Sequence, residues 1–271
     1  MVSAIGATHL HDRGILGQGV KIGILDTGID TSNSELKVTG GVSFVLDEPE
    51  YSDRNGHGTA IAGIISAIDD NKGIVGGAPK ANIYAIKVAN KFGDGTYSNL
   101  INGIEWAVQS KLDVINISLE GKDKSKTLKN AIEYAYKNNV MIVASAGNQG
   151  FNPKGNVAYP ASYNNVIAVG AVDQEKKIAS FSSVGKELAL VAPGVDIISL
   201  FSDVYVPFRG TSMAAAHVTG AIALIKSKYP NLSNKKIEQL LKKSATNLGN
   251  KFTYGHGFLK VDSAIKQIRC I

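Results

Sequence analysis

Short apolar runs alternate with longer amphipathic stretches along this chain. Val20–Leu25, Asn82–Val88, Asp113–Leu119, Val140–Ala144 and Val166–Val172 are rich in valine and isoleucine at successive positions. Parallel strands covered on both faces read this way. Between them the apolar residues recur at helical spacing. Ser98 is placed to cap a helix through Ile101, Ile104, Ala107 and Val108, and a second helix puts Leu128, Ala131, Ile132 and Ala135 on one face. Ser233 opens a third, with Ile237, Leu240 and Leu241 inward and lysines outward. The stretch from Thr211 differs: Met213–Ile225 is apolar nearly all round, which predicts a helix inside the protein. Such alternation predicts a three-layer α/β/α fold around a mainly parallel central sheet. No Pro- or Ser-rich linker and no internal repeat divides the chain, so residues 1–271 are expected to form a single domain.

Composition adds limits. Of 271 residues, 44% are hydrophobic, enough for a sizeable core. The net charge is +6, but the lysines are scattered through Lys122–Lys129, Lys235–Lys243 and Lys260–Lys266. Solvated helix faces account for them. A nucleic-acid partner is not expected, because its basic patch would carry interleaved aromatics. The lone Cys270 permits neither an internal disulfide nor a cysteine-type zinc site. No segment approaches the ~20 apolar residues that span a bilayer, so no membrane partner is expected. The start, Met1-Val2-Ser3-Ala4, lacks a basic region followed by an apolar one. That leaves two readings: a chain kept inside the cell, or a mature form.

Four polar residues stand where chemistry is usually placed. Asp26 follows the run Lys21–Leu25 and precedes Thr27-Gly28; the carboxyl end of a central parallel strand is where α/β proteins put their sites, although an Asp before Gly is also a common turn. His57, in Asn55-Gly56-His57-Gly58, precedes the apolar Ile61–Ile65 and so stands at a helix N-terminus. That position disfavours the imidazolium, which then needs a carboxylate partner. Ser212 opens the apolar helix, whose free N–H groups suit a developing oxyanion; a plain capping serine is the alternative. Asn148, in Ala146-Gly147-Asn148, follows a buried strand and offers an amide donor or an ordinary turn asparagine.

Taken together, in the order Asp, His, Asn, Ser, these stretches resemble the subtilases, the subtilisin-like serine proteases. The likeness rests on Asp26-Thr27-Gly28, His57-Gly58-Thr59, Ser118-Leu119, Ala146-Gly147-Asn148 and Gly210-Thr211-Ser212-Met213-Ala214, and it extends over almost the whole chain. The resemblance implies an endopeptidase with Ser212 as nucleophile, His57 as general base, Asp26 as the orienting carboxylate, and Asn148 with the Ser212 N–H holding the oxyanion. It also implies substrate-pairing segments at Gly93, Asp94, Gly95 and at Ser118, Leu119, Glu120, with a primary pocket walled by Leu119-Glu120, by Ala144, Ser145, Ala146 and Gly147, and by Ala158. A monomer acting on proteins or peptides, secreted, with an inhibitory propeptide in its precursor, follows from the same resemblance.

The chain departs from that pattern in places. Glu120 stands where subtilisins usually carry glycine; it points to solvent and does nothing, or it narrows the pocket or puts a negative charge at its mouth, favouring Lys or Arg before the cleaved bond. Ala216 replaces a usual proline, which restores a backbone N–H without harm to the helix. Ala60 replaces a frequent histidine, and Met213 is a site for oxidation. The family's structural calcium site aligns with Glu35, Ile68, Asp70, Lys72 and Ile74, whose carboxylate and carbonyl oxygens suit a hard cation. The chain starts later than subtilisins usually do, so one ligand of that site has no counterpart. Three rivals remain: a dedicated maturation protease of narrow specificity, a non-catalytic homologue acting as a binding module, and a nucleotide-binding α/β enzyme. The last lacks a glycine-rich phosphate loop after its first strand.

Overall fold

A computed structural model describes residues 2–70 and 72–268. Cys270 and Met1 lie outside the described residues, as does Asn71 within the loop proposed for calcium. In chain order the elements are α1 (Thr8–His11), β1 (Lys21–Asp26), β2 (Val38–Ser43), α2 (His57–Ser66), β3 (Asn82–Lys87), α3 (Tyr97–Gln109), β4 (Val114–Ile117), α4 (Lys126–Lys137) and β5 (Met141–Ser145). There follow β6 (Ile167–Val172), β7 (Leu188–Pro193), β8 (Ile197–Phe201), β9 (Val204–Phe208), α5 (Thr211–Lys228), α6 (Asn234–Ser244), α7 (Lys251–Tyr254) and α8 (Val261–Ile268).

Seven strands form one parallel sheet in the order β2-β3-β1-β4-β5-β6-β7, and β8 pairs with β9 in an antiparallel hairpin. The helices α2 and α5 pack on each other and on the sheet, and α3 and α4 do the same separately, giving the three-layer α/β/α fold. Strand β1 lies between β3 and β4: the chain first builds β2 and β3 on one side of it, then crosses it to lay β4 and the later strands on the other. Its carboxyl end is therefore the point where α/β sheets open a crevice. Asp26 is its last residue.

The local chemistry explains most boundaries. Ser125 and Ser233 cap α4 and α6, each accepting a backbone N–H three residues on. For α3 the cap is Thr96, not Ser98: Thr96 has an extended backbone and its hydroxyl accepts from the Asn99 N–H, so the helix opens two residues earlier. Helix α5 is buried on every side from Thr211 to Lys226. A polar chain fixes its depth. Thr219 Oγ1 donates to Asn116 Oδ1 at 2.9 Å, and Asn116 Nδ2 donates to Ser118 Oγ at 2.8 Å, tying the helix to β4 and to the segment beyond it.

Candidate active site

The carboxylate and the imidazole meet through two glycine-permitted approaches. Asp26 is 0% exposed at the end of β1, and its Oδ1 accepts the Thr27 N–H at 2.8 Å. His57 is the first residue of α2, after Gly56 in the left-handed region. Its Nδ1 lies 2.7 Å from Asp26 Oδ1. A Cβ on Gly58 would overlap the carbonyl oxygen of Gly28 and lie 3.2 Å from Asp26 Cβ, so glycine at 58 is what lets α2 come this close to β1. Burial pulls the His57 pKa down. The charge and hydrogen bond of Asp26, with a smaller push from Asp53, outweigh it and leave the pKa above the ordinary histidine value.

Asp53 was not singled out from the sequence, yet it joins both halves of this pair. Its Oδ1 accepts from Thr27 Oγ1 at 2.9 Å and from the N–H groups of Asn55 and Gly56, and its Oδ2 accepts from the N–H and hydroxyl of Thr59. Burial raises its pKa, but these hydrogen bonds outweigh that and hold the carboxyl below its usual value. The Thr27 hydroxyl in turn accepts the Gly58 N–H at 3.0 Å. One carboxylate thus fixes the residue after Asp26 and the turn carrying His57. Beneath them the buried Lys87, paired in register with Asp26, donates to the Thr27 carbonyl at 2.6 Å and pairs with Glu48 at 2.9 Å. A buried cation needs such a partner.

Ser212 is the second residue of α5, where backbone N–H groups have no intrahelical acceptor. Its N-cap, Gly210, offers no side chain. Asn148 does that work instead: its Oδ1 accepts from the Thr211 N–H at 3.0 Å and from the Thr211 hydroxyl at 3.2 Å. With the carbonyl oxygen so engaged, the amide Nδ2 is the end of Asn148 left for a ligand. The Ser212 hydroxyl donates to the Ser118 carbonyl at 3.4 Å, a long contact. His57, Ser212 and Asn148 border the same cleft of about 400 Å³. In free enzymes the nucleophile–base contact commonly tightens only when substrate is bound.

The cleft is also lined by Gly93, Gly95, Ser118, Leu119 and Glu120. Asp94 borders a neighbouring depression with Arg54 and Asn90. Ala144 and Ser145 lie within β5, and Ala146 and Gly147 are buried beyond it, so they back the wall rather than face the cleft. Ala158 stands against Gly147, where an added Cβ would lie 3.2 Å from its own. The Glu120 carboxylate does not simply point to solvent: Oε2 accepts the Asn148 N–H at 3.1 Å and Oε1 the Gln149 amide at 3.3 Å. Sequence reading missed Phe92, Tyr97 and Leu100, which add an apolar flank; Phe92 is 74% exposed. The adjoining Tyr97 and Leu100, three residues apart at a helix start, are the signal that was available.

Glu35 and Asp70 come together with the β8–β9 hairpin. Burial first, then both carboxylates, pushes the Tyr205 hydroxyl pKa up. Glu35 Oε2 is buried without a hydrogen-bond partner, while the Glu35 carbonyl accepts the Ile68 N–H at 3.0 Å and Asp70 Oδ1 accepts the Lys72 N–H at 3.0 Å. Among the described residues no group of three acidic, histidine or cysteine side chains converges for a metal. The donors fit a hard cation only if backbone carbonyls complete the set, as calcium accepts.

Comparison with known proteins bears on this geometry. A family model described as the Subtilase family matches residues 17–257. Subtilisin DY from Bacillus licheniformis is 50% identical over 265 residues, which is 97% of each chain. Subtilisin E from Bacillus subtilis (strain 168) is 46% identical over 266 residues, covering 97% of this chain and 70% of its own. Subtilisin Savinase from Lederbergia lenta is 44% identical over 266 residues, covering 98% and 97%.

Proposed function

The chain belongs to the subtilase family and is a serine endopeptidase acting on proteins, and from that premise we propose that Ser212, His57 and Asp26 carry out the hydrolysis. The observation that carries this assignment is the 2.7 Å bond from the buried Asp26 to a histidine sharing a cleft with a helix-opening serine. Ser212 Oγ attacks the scissile carbonyl as His57 takes its proton. The tetrahedral oxyanion is held by Asn148 Nδ2 and the Ser212 N–H. His57 then gives the proton to the leaving amine, and water, activated by the same histidine, releases the acyl group. Asp26 fixes the ring tautomer and stabilises imidazolium. An extended substrate backbone pairs with Gly93–Gly95 and Ser118–Glu120.

The wider reading rests on the family resemblance. Residues 1–271 form one catalytic domain, working as a secreted monomer released from a precursor with an inhibitory propeptide. Calcium is held by the Glu35 and Asp70 carboxylates with carbonyls of Ile68, Lys72 and Ile74, and serves structure rather than chemistry. A fluorophosphonate probe tests the central assignment. It labels the protein at Ser212 and abolishes peptidase activity, and Ser212→Ala takes no label. Labelling of Ser212→Ala at an undiminished level would refute the assignment.

A further inference from the structure

We propose that Glu120 makes this enzyme selective for peptides with a cationic side chain, Lys or Arg, on the acyl side of the cleaved bond. The inference rests on the proposed roles of Ser212 and Asn148. With the scissile carbonyl between Ser212 Oγ and the Asn148 amide, the side chain of the residue bearing that carbonyl leaves from beside Asn148. The walls there are Ser118–Glu120, beyond the end of β4, and Asn148, beyond the end of β5. The Glu120 carboxylate bridges these walls through the Asn148 N–H at 3.1 Å and the Gln149 amide at 3.3 Å. It lies so close over Gly147 that an added Cβ there would come within 2.7 Å of Oε2.

Three features make this charge a reader of substrate. Glu120 is the only Asp, Glu, Lys or Arg among the described residues lining the cleft. Among the described residues no lysine or arginine pairs with it. Each carboxylate oxygen accepts one of these two hydrogen bonds and keeps lone-pair capacity for a second donor. The two bonds hold the charge in place before substrate arrives, so a cation meets it without reordering a free side chain. A brace for Asn148 is the competing role, and charge separates the two: glutamine keeps one acceptor oxygen for the Asn148 N–H and loses the charge together with the longer bond from the Gln149 side-chain amide.

The test uses paired peptide substrates with arginine or its neutral isostere citrulline before the cleaved bond. In the wild-type protein kcat/KM for arginine exceeds that for citrulline by roughly tenfold, since a hydrogen bond to a charged group outweighs a neutral one by about that much. Glu120→Gln brings the ratio close to one. In the wild-type protein the ratio also falls as sodium chloride rises, because the charge is exposed; that measurement stands if the variant fails to fold. A wild-type ratio near one, a ratio unchanged in Glu120→Gln, or a ratio insensitive to salt overturns the inference. Turnover of an apolar substrate with neither paired peptide cut overturns it and leaves the peptidase intact. Failure to cut any peptide overturns the proposed catalytic assignment as well.

Discussion

At His57 two opposed influences act on one proton. Burial disfavours the charged ring, while Asp26 and, more weakly, Asp53 favour it and win. As the proposed general base, His57 would work only when neutral, so a raised pKa delays its activation as pH rises. The acid limb of kcat/KM is therefore expected above the ordinary histidine value of ~6.5. In Asp26→Asn the ring stays buried and the main opposing charge goes, so the limb moves to lower pH. The rate falls by about 10⁴, because the asparagine amide can donate to Nδ1 and hold the ring in the wrong tautomer. pH profiles of both proteins on one peptide substrate check this, and a wild-type limb at or below 6.5 counts against it. Asp26, His57, Asn148 and Ser212 were legible in the sequence because each follows a buried run or opens a helix beside glycine. Asp53 was not, since an aspartate before Asn-Gly reads as an ordinary turn. The direction of the Glu120 carboxylate was equally hidden, because it depends on how two strand ends separated in sequence come to lie side by side.

Elements matter here through how near their backbones approach. The first turn of α2 touches the loop after β1 at Gly58, where the obstacle to a side chain is the Gly28 carbonyl, part of the backbone rather than a movable group. Gly58→Ala is expected to push the start of α2 away from β1 and lengthen the His57–Asp26 bond. Overpacking of this kind costs about 1–3 kcal/mol of stability, and a displacement near 1 Å costs roughly 10²-fold in rate. Gly40→Ala is the control, since its Cβ would rest 3.8 Å from Tyr84 in ordinary contact. Melting temperature and kcat/KM for the two variants decide the matter; wild-type rates in Gly58→Ala would show that the approach is not critical. The buried strands β1, β3, β4, β5 and β6 and helices α3 to α6 were readable because valine, isoleucine and capping residues signal them locally. Strand β2 was not: it carries Gly40-Gly41 and a half-buried face, and glycine weakens the strand signal. The β8–β9 hairpin went unread too, because much of its apolar surface faces outward: Ile198, Phe201, Val204 and Tyr205 are exposed.

Across the whole molecule, segments far apart in sequence close on one another around Glu35. Asn33 Nδ2 donates to the Ser202 carbonyl at 2.7 Å, the Ile68 N–H reaches the Glu35 carbonyl, and Tyr205 brings the hairpin against both acidic side chains. Two carboxylates beside a partly buried hydroxyl, one with an orphaned oxygen, leave uncompensated negative charge where three chain segments meet. A bound cation would neutralise it and join the segments, and it would bind the folded chain far better than the unfolded one. At a free concentration a hundred times Kd, such binding adds about 2.7 kcal/mol to stability. For a chain of this size that corresponds to a melting temperature higher by roughly 5–10 °C. The measurement is best made on Ser212→Ala, in which self-digestion cannot blur the transition. Chelation of calcium is expected to lower its melting temperature by that amount, and readdition to restore it. In Ser212→Ala combined with Glu35→Gln the chelator has little left to remove, so most of the shift should vanish. A melting temperature unmoved by chelator in Ser212→Ala would mean that Glu35 and Asp70 tolerate each other's charge without a metal.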